Sequence, residues 1–313
     1  MSAASGAFSL DRGDVRIAVQ RTRPRGAVRS SVLVVHGMAE HALRYARFAG
    51  ALAERGHAVY APDHRGHGAS AGGRYGVAGR DAWNAILRDL AAVADVAREE
   101  TSGAPQFVFG HSMGSMLAQR YAQQHGAQLA GVVLSGTTGS SPGLAAGVAA
   151  ANLLCAAAGR ERPSPLQARI FAGFNTGFEH GTGFEWLTRD AAEVQAYVED
   201  ERCGFTFSNE LLRDMLRGYA DTWRPANERR IPHDLPVLMI AGARDPVGRA
   251  TAGVHELAER YRALGLRDVE VRVYPDARHE LLNETNRDEV VRDVLGWLDA
   301  RLDQRVAAAP AGR

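Results

Sequence analysis

One arrangement recurs along this chain and limits what it can fold into: a short unbroken apolar run, a stretch of helical spacing, then another apolar run. "SSVLVVHG" leads into "ALRYARFAGALAERG", where Tyr45, Phe48, Ala49 and Leu52 recur at helical spacing and Gly56 stands where a C-terminal cap belongs. "HAVYAPD" follows, then the long amphipathic stretch "RDAWNAILRDLAAVADVAREE". "QFVFGH", "SMLAQRYAQQHG" and "LAGVVLSG" repeat the unit. A strand that is apolar on both faces must be covered on both faces. The alternation therefore predicts an α/β fold, a mostly parallel central sheet with helices on each side.

The segment before the rhythm, "AFSLDRGDVRIAVQRTRP", reads as two short strands around a polar turn at Asp11–Asp14. The rhythm stops near residue 137 and resumes at "LPVLMIAGARD", followed by a helix near 250–264, the strand "VEVRVYP" and a last helix near 286–303. Residues 1–137 and 229–303 are expected to form the core. Residues 138–228 hold aromatics, Gly–Pro breaks and helical patches, and read as an inserted, mainly helical cap over the C-terminal edge of the sheet. Ligands of open α/β sheets bind at that edge. Residues 304–313 are expected to be a frayed tail.

Composition closes off several functions. With 313 residues and 45% hydrophobic residues the chain can build one large core. No apolar run reaches 18 residues, and the N-terminus lacks a basic region followed by an apolar one, so a cytoplasmic protein is expected. A net charge of +1 without a basic stripe argues against nucleic acid. Cys155 and Cys203, with no CxxC pair, fit a reducing compartment. The chain contains no lysine, which removes pyridoxal Schiff bases, Ser–Lys dyads and P-loop lysines.

The chemistry begins at "GHSMG", residues 110–114, between an expected strand and an expected helix. A serine there is forced into a tight turn that lifts its hydroxyl off the sheet, and glycines two places before and after relieve the crowding. A serine hydroxyl needs a base, and the base needs an orienting acid. On this architecture the chain order is Ser, acid, His. Asp245 ends "VLMIAGARD" and His279 lies in "YPDARHE", one helix–strand unit later. Ser112, Asp245 and His279 are the expected catalytic residues, with Asp276 and Asp221 as rivals for the acid. The oxyanion of an acyl-transfer intermediate needs backbone donors, expected from Met113 and from Met38 in "HGMAEH". In "DHRGHGAS" two histidines beside an aspartate admit a metal-site reading. The segment is an irregular turn without a second ligand cluster, so a hydrogen-bonded buttress is expected, with no metal and no cofactor.

The cap stretch "GLAAGVAAANLLCAAAG" is apolar for about four turns and too short to span a bilayer. Lining an acyl pocket, packing as core and resting on a membrane surface are all open to it. As substrate-binding residues we expect Leu144, Val148, Leu153, Phe174 and Phe178.

Together these residues resemble the α/β-hydrolase superfamily, and within it the monoacylglycerol lipase and bacterial lysophospholipase branch. The motifs are "HGMAEH" (36–41), "DHRGHGAS" (63–70), "GHSMG" (110–114), "GARDPV" (242–247) and "DARHELLNE" (276–284), with "WLTRD" (186–190) and "DERCGF" (200–205) in the cap. The resemblance spans nearly the whole chain and implies the same triad and the same two oxyanion donors. Ser115 stands where many members carry a third glycine. The expected activity is cofactor-independent hydrolysis of a small-molecule acyl ester, with peripheral membrane contact through the cap and an open oligomeric state. An aminopeptidase of the same fold, or a binding protein that has lost turnover, are the alternatives.

Overall fold

The computed structural model describes residues 4–141, 143–179 and 181–308. Among the described residues eight strands form one sheet: β1 (Ala4–Asp11), β2 (Arg16–Arg23), β3 (Ser30–Val35), β4 (His57–Pro62), β5 (Gln106–His111), β6 (Leu129–Ser135), β7 (Val237–Gly242) and β8 (Val269–Tyr274). Their order across the sheet is β1-β2-β4-β3-β5-β6-β7-β8. The hairpin β1–β2 is antiparallel, as the polar turn predicts, and β2 pairs antiparallel with β4; every other pairing is parallel. Strands β3 to β7 are buried along their whole length, which their uninterrupted apolar and β-branched sequences require.

Among the described residues ten α-helices accompany the sheet: α1 (Ala46–Glu54), α2 (Ala82–Glu100), α3 (Met113–His125), α4 (Leu144–Ala157), α5 (Pro165–Phe174), α6 (Ala191–Glu199), α7 (Asn209–Thr222), α8 (Pro225–Glu228), α9 (Ala252–Ala263) and α10 (Arg287–Ala308). On one face of the sheet α1 and α10 enclose a core that includes Phe48, Leu52, Phe109, Val294 and Trp297. On the other, α2, α3 and α9 bury Leu90, Val93, Leu117, Tyr121 and Leu257. The last helix runs on to Ala308, past the expected end at 303, so residues 304–308 are helical rather than frayed; residues 309–313 lie outside the described residues.

Helices α4–α8 are inserted between β6 and β7. Their starts are written locally. Ser208 accepts the Leu211 N–H at 3.2 Å ahead of α7, Asp190 accepts that of Ala192 at 3.1 Å ahead of α6, and Pro165 opens α5. Helix α4 is different. It is apolar on every side, and of its side chains only Ala151 is fully buried.

The strand order fixes where a site can form. From β3 the chain steps to β4 on one side, and then crosses to β5 on the other. The loops that leave β3 and β5 therefore diverge at their C-terminal ends and open a crevice between them.

Candidate active site

Ser112 lies directly between β5 and α3, at φ 52° and ψ −122°. Positive φ is costly for a residue with a side chain and persists only when the surroundings enforce it. Here the Ser112 N–H donates to Ser135 O at 2.9 Å, and its carbonyl accepts the Ser115 N–H at 2.8 Å. Close packing does the rest: a Cβ at Gly114 would lie 2.0 Å from Val35 O, and one at Gly110 would lie 2.4 Å from Gly114 O. The Ser115 side chain is fully buried, donates to Ser112 O at 2.6 Å and lies 2.9 Å from the Thr137 hydroxyl, so it braces the turn.

Asp245 and His279 come from the loops after β7 and β8. The Asp245 carboxylate is fully buried, and His279 Nδ1 lies 2.9 and 3.0 Å from its two oxygens. Burial opposes a charge on His279, but the Asp245 carboxylate outweighs it and holds the imidazole pKa above its ordinary value. The other ring nitrogen, Nε2, is buried without a hydrogen-bond partner among the described residues. Of the rival acids, Asp276 is an exposed turn residue at φ 60°, and Asp221 pairs with Arg120 at 3.0 Å.

The histidine loop is tied to the inserted segment. The N–H of His279 donates to Trp186 O at 3.3 Å and that of Glu280 to Leu187 O at 2.7 Å. Arg278 donates to Glu185 O at 2.5 Å and Thr188 O at 3.1 Å. The Trp186 and His111 rings lie 4.9 and 4.7 Å from the imidazole. Burial pushes the His111 pKa down to about 4, so that neighbour is neutral at pH 7.

Met38 and Met113 both reach the site, and among the described residues neither backbone N–H has a hydrogen-bond partner. Met113 is the first residue of α3, where the helix dipole favours negative charge. Glu40 shapes the Met38 loop by accepting the Gly37 N–H at 2.5 Å. In "DHRGHGAS", Asp63 accepts the N–H groups of Ala42 and Ala69, each at 2.8 Å, and so acts as a buttress. His36, His64 and His67 cluster beneath, buried, with ring centroids 3.9–5.9 Å apart and ring planes tilted or edge-on to one another. His41, Asp200 and Cys203 gather potential metal-ligand atoms, but Asp200 already takes two bonds from the Arg202 guanidinium, at 2.7 and 2.9 Å.

A cavity of about 650 Å³ opens over Ser112 and His279. Leu144 and Phe174 line it. Val148, Leu153 and Phe178 do not. Leu153 is 68% exposed, Val148 packs against the core, and Phe178 lies beneath the guanidinium groups of Arg278 and Arg244 at 4.8 and 5.5 Å. For Val148 and Leu153 the physical reason is that α4, apolar around nearly its whole circumference, has no period to mark its inner face; Phe178 lies in the loop after α5, outside that helix. The missed wall is α7 and its continuation, with Leu212, Leu216, Tyr219 and Trp223 on the cavity. Their spacing of four, three and four is a helical stripe that the sequence does display.

Sheet order, crevice and site define an α/β-hydrolase. More narrowly, the chain belongs to the family described as serine aminopeptidase, S33, whose family model matches residues 26–286. It is a hydrolase similar to monoacylglycerol lipases. It is 30% identical to the monoacylglycerol lipase of Mycolicibacterium smegmatis, over 93% of this chain and 95% of that protein. It is 28% identical to the Homo sapiens monoglyceride lipase, over 92% and 86%. The structure of a thermostable carboxyl esterase from Bacillus coagulans in complex with glycerol superposes with a TM-score of 0.88 at 28% identity, covering 96% of this chain and 99% of that one.

Proposed function

We propose that this protein hydrolyses monoacyl esters, monoacylglycerols or lysophospholipids, through Ser112, His279 and Asp245, with residues 138–228 as a cap that forms the acyl pocket. The observation that carries this is the imidazole of His279: one nitrogen on a buried carboxylate, the other free, at the floor of an apolar cavity. Ser112 Oγ attacks the ester carbonyl carbon while His279 Nε2 takes its proton. The N–H groups of Met38 and Met113 receive the oxyanion. Collapse of the intermediate expels the alcohol, which takes the proton from His279. Water, deprotonated by the same imidazole, attacks the acyl-enzyme; the acid is released as Ser112 Oγ leaves and takes the proton back from His279.

An aminopeptidase would need a free anion for the substrate's ammonium. Of the acidic candidates, Glu40 and Glu280 are engaged by Arg44, Glu185 by Thr182 and Asn175, and Asp190 by Arg287, while Glu179 is exposed and does not line the cavity. This favours the ester reading. Nitrophenyl esters of increasing chain length should gain in kcat/KM from acetate to medium chains, each buried CH₂ contributing up to about 0.8 kcal/mol, while amino-acid amides turn over poorly. Ser112→Ala should lose activity on the order of 10³-fold or more while remaining folded. Preference for acetate, efficient amide release or an active Ser112→Ala would each defeat the proposal.

The exposed apolar side of α4, with Leu153 at its outermost point, continues into the cavity wall at Leu144. That continuity supports a lipid surface as its occupant. Among the described residues no helix is long and apolar enough to cross a membrane. Co-sedimentation with phosphatidylcholine vesicles should weaken in Leu153→Arg, and equal sedimentation would remove the idea.

A further inference from the structure

Arg44 occupies a short turn, Ala42–Tyr45, that closes the loop carrying Met38. Its side chain is almost fully buried between two glutamates. Nη1 donates to Glu40 Oε2 at 2.8 Å and to Glu280 Oε1 at 2.6 Å, and Nη2 donates to Glu280 Oε2 at 2.7 Å. Glu40 also accepts from the Gly37 N–H at 2.5 Å and the Tyr45 hydroxyl at 2.8 Å. Glu280 directly follows His279 and accepts from the Asn283 amide at 2.9 Å. The guanidinium lies 4.9 Å over the ring of Tyr197, in α6, whose hydroxyl donates to Ala39 O at 3.0 Å. One guanidinium thus joins the Met38 loop, the His279 loop and the inserted helices.

A buried ion cluster is weak ground for stability, because apolar groups of the same volume often serve the fold as well. What a planar fork does better is hold two carboxylates at a fixed spacing. The two carboxylates here sit at the ends of the two loops whose separation decides the reaction. Proximity is unforgiving: a misplacement of about 1 Å can cost on the order of 10²-fold in rate.

We propose that Arg44 is a positioning residue that, through Glu40 and Glu280, sets the distance between the Met38 N–H and the His279 imidazole. This rests on the hydrolytic role given above to His279. The bridge also carries a net charge of −1, from two carboxylates and one guanidinium. The charged or titratable groups around His279 are Asp245, Glu280, Glu40 and Arg44, with His111 from the end of β5 and Arg278 beside it in the chain. The bridge therefore favours the imidazolium that forms when Ser112 is deprotonated.

The test uses the full chain with a medium-chain nitrophenyl ester and compares wild type, Arg44→Met, Arg44→Lys, Glu280→Gln and, as a destabilised control far from the site, Leu302→Ala in α10. Arg44→Met should lower kcat about 10²-fold with KM within about threefold. Arg44→Lys keeps the charge but not the fork and should fall between. Glu280→Gln withdraws a negative neighbour from His279, so the acid limb of kcat/KM should move to lower pH. Leu302→Ala should melt earlier yet keep its kcat at 25 °C. A folded Arg44→Met with kcat within threefold of wild type overturns the proposal. Should that variant not fold, an Arg44→Lys with wild-type kcat overturns it instead. A wild type that neither hydrolyses the ester nor reacts with a fluorophosphonate removes the hydrolytic reading itself, a result separable from failure of the bridge alone.

Discussion

Gly114→Ala adds one methyl group where the structure has no room for it. The Cβ would lie 2.0 Å from Val35 O and 2.5 Å from His36 O, whereas real Cβ contacts essentially never fall below 3.0 Å. Both neighbours are backbone, at the end of β3 and the start of the Met38 loop, so no side chain can swing aside. Helix α3 and that loop must separate by about 1 Å, an overpacking strain of about 1–3 kcal/mol. For a chain of this size that lowers the melting midpoint by roughly 2–5 °C. The same displacement pulls the Met113 N–H, one residue from the substitution, away from the Met38 N–H across the crevice. With both donors needed for one oxyanion, kcat should fall on the order of 10²-fold, mostly without a change in KM. Steady-state ester hydrolysis and a thermal melt by circular dichroism read the two effects. Gly296→Ala in α10, where a Cβ meets nothing within 4 Å, should change neither for the worse. A Gly114→Ala enzyme with wild-type kcat and an unchanged melt would refute the reasoning, because the turn would then tolerate the side chain its packing forbids.

Asp245→Asn should leave the imidazole in the wrong tautomer and cut kcat on the order of 10⁴-fold, while Asp276→Asn stays near wild type; the opposite ranking would name the other acid. Acid should destabilise the fold early. Burial depresses the pKa of His36 well below the ordinary 6.5, that of His64 to about 3, and that of His67 to about 4. Below about pH 6.5 the unfolded chain takes up protons that the folded chain refuses, so each imidazole removes about 1.4 kcal/mol per pH unit down to its folded pKa. Their contribution is intact above pH 6.5, and the melting midpoint should fall steadily from pH 7 to pH 5. A flat profile over that interval would show that the cluster is not held neutral.

The parallel sheet was legible because its strands are short, apolar throughout and separated by amphipathic helices, so period and length agree on the same answer. That Ser112, Asp245 and His279 meet at one edge was legible from the glycine spacing around Ser112 and from chain order, since each follows a strand and a parallel sheet delivers all such loops to one edge. The wall of the cavity was harder. Helix α4 drew attention by its hydrophobicity, yet hydrophobicity without a period does not say which side faces inward. Helix α7 carries a clear stripe, Leu212 to Trp223, but charged residues between its members disguise it in a reading by composition. The tie from Arg44 to Glu280 was out of reach, because it joins residues 236 positions apart and no local rule speaks across that interval, whereas its partner tie to Glu40 is a local pair four positions apart.

The hydrogen bonds between residues 185–189 and the histidine loop bear on how such proteins could exchange parts. An insertion joined to its host only at its two ends can be traded between homologues as a block. This one grips the loop of His279 through Trp186 O, Leu187 O and the two carbonyls that Arg278 holds. A crossover that replaced all of 138–228 would bring in a foreign grip on His279. One that replaced only α4 and α5 would leave it in place. New acyl-chain preferences should therefore arise most readily by recombination within 143–174, with the remainder of the insertion inherited together with the histidine loop it supports.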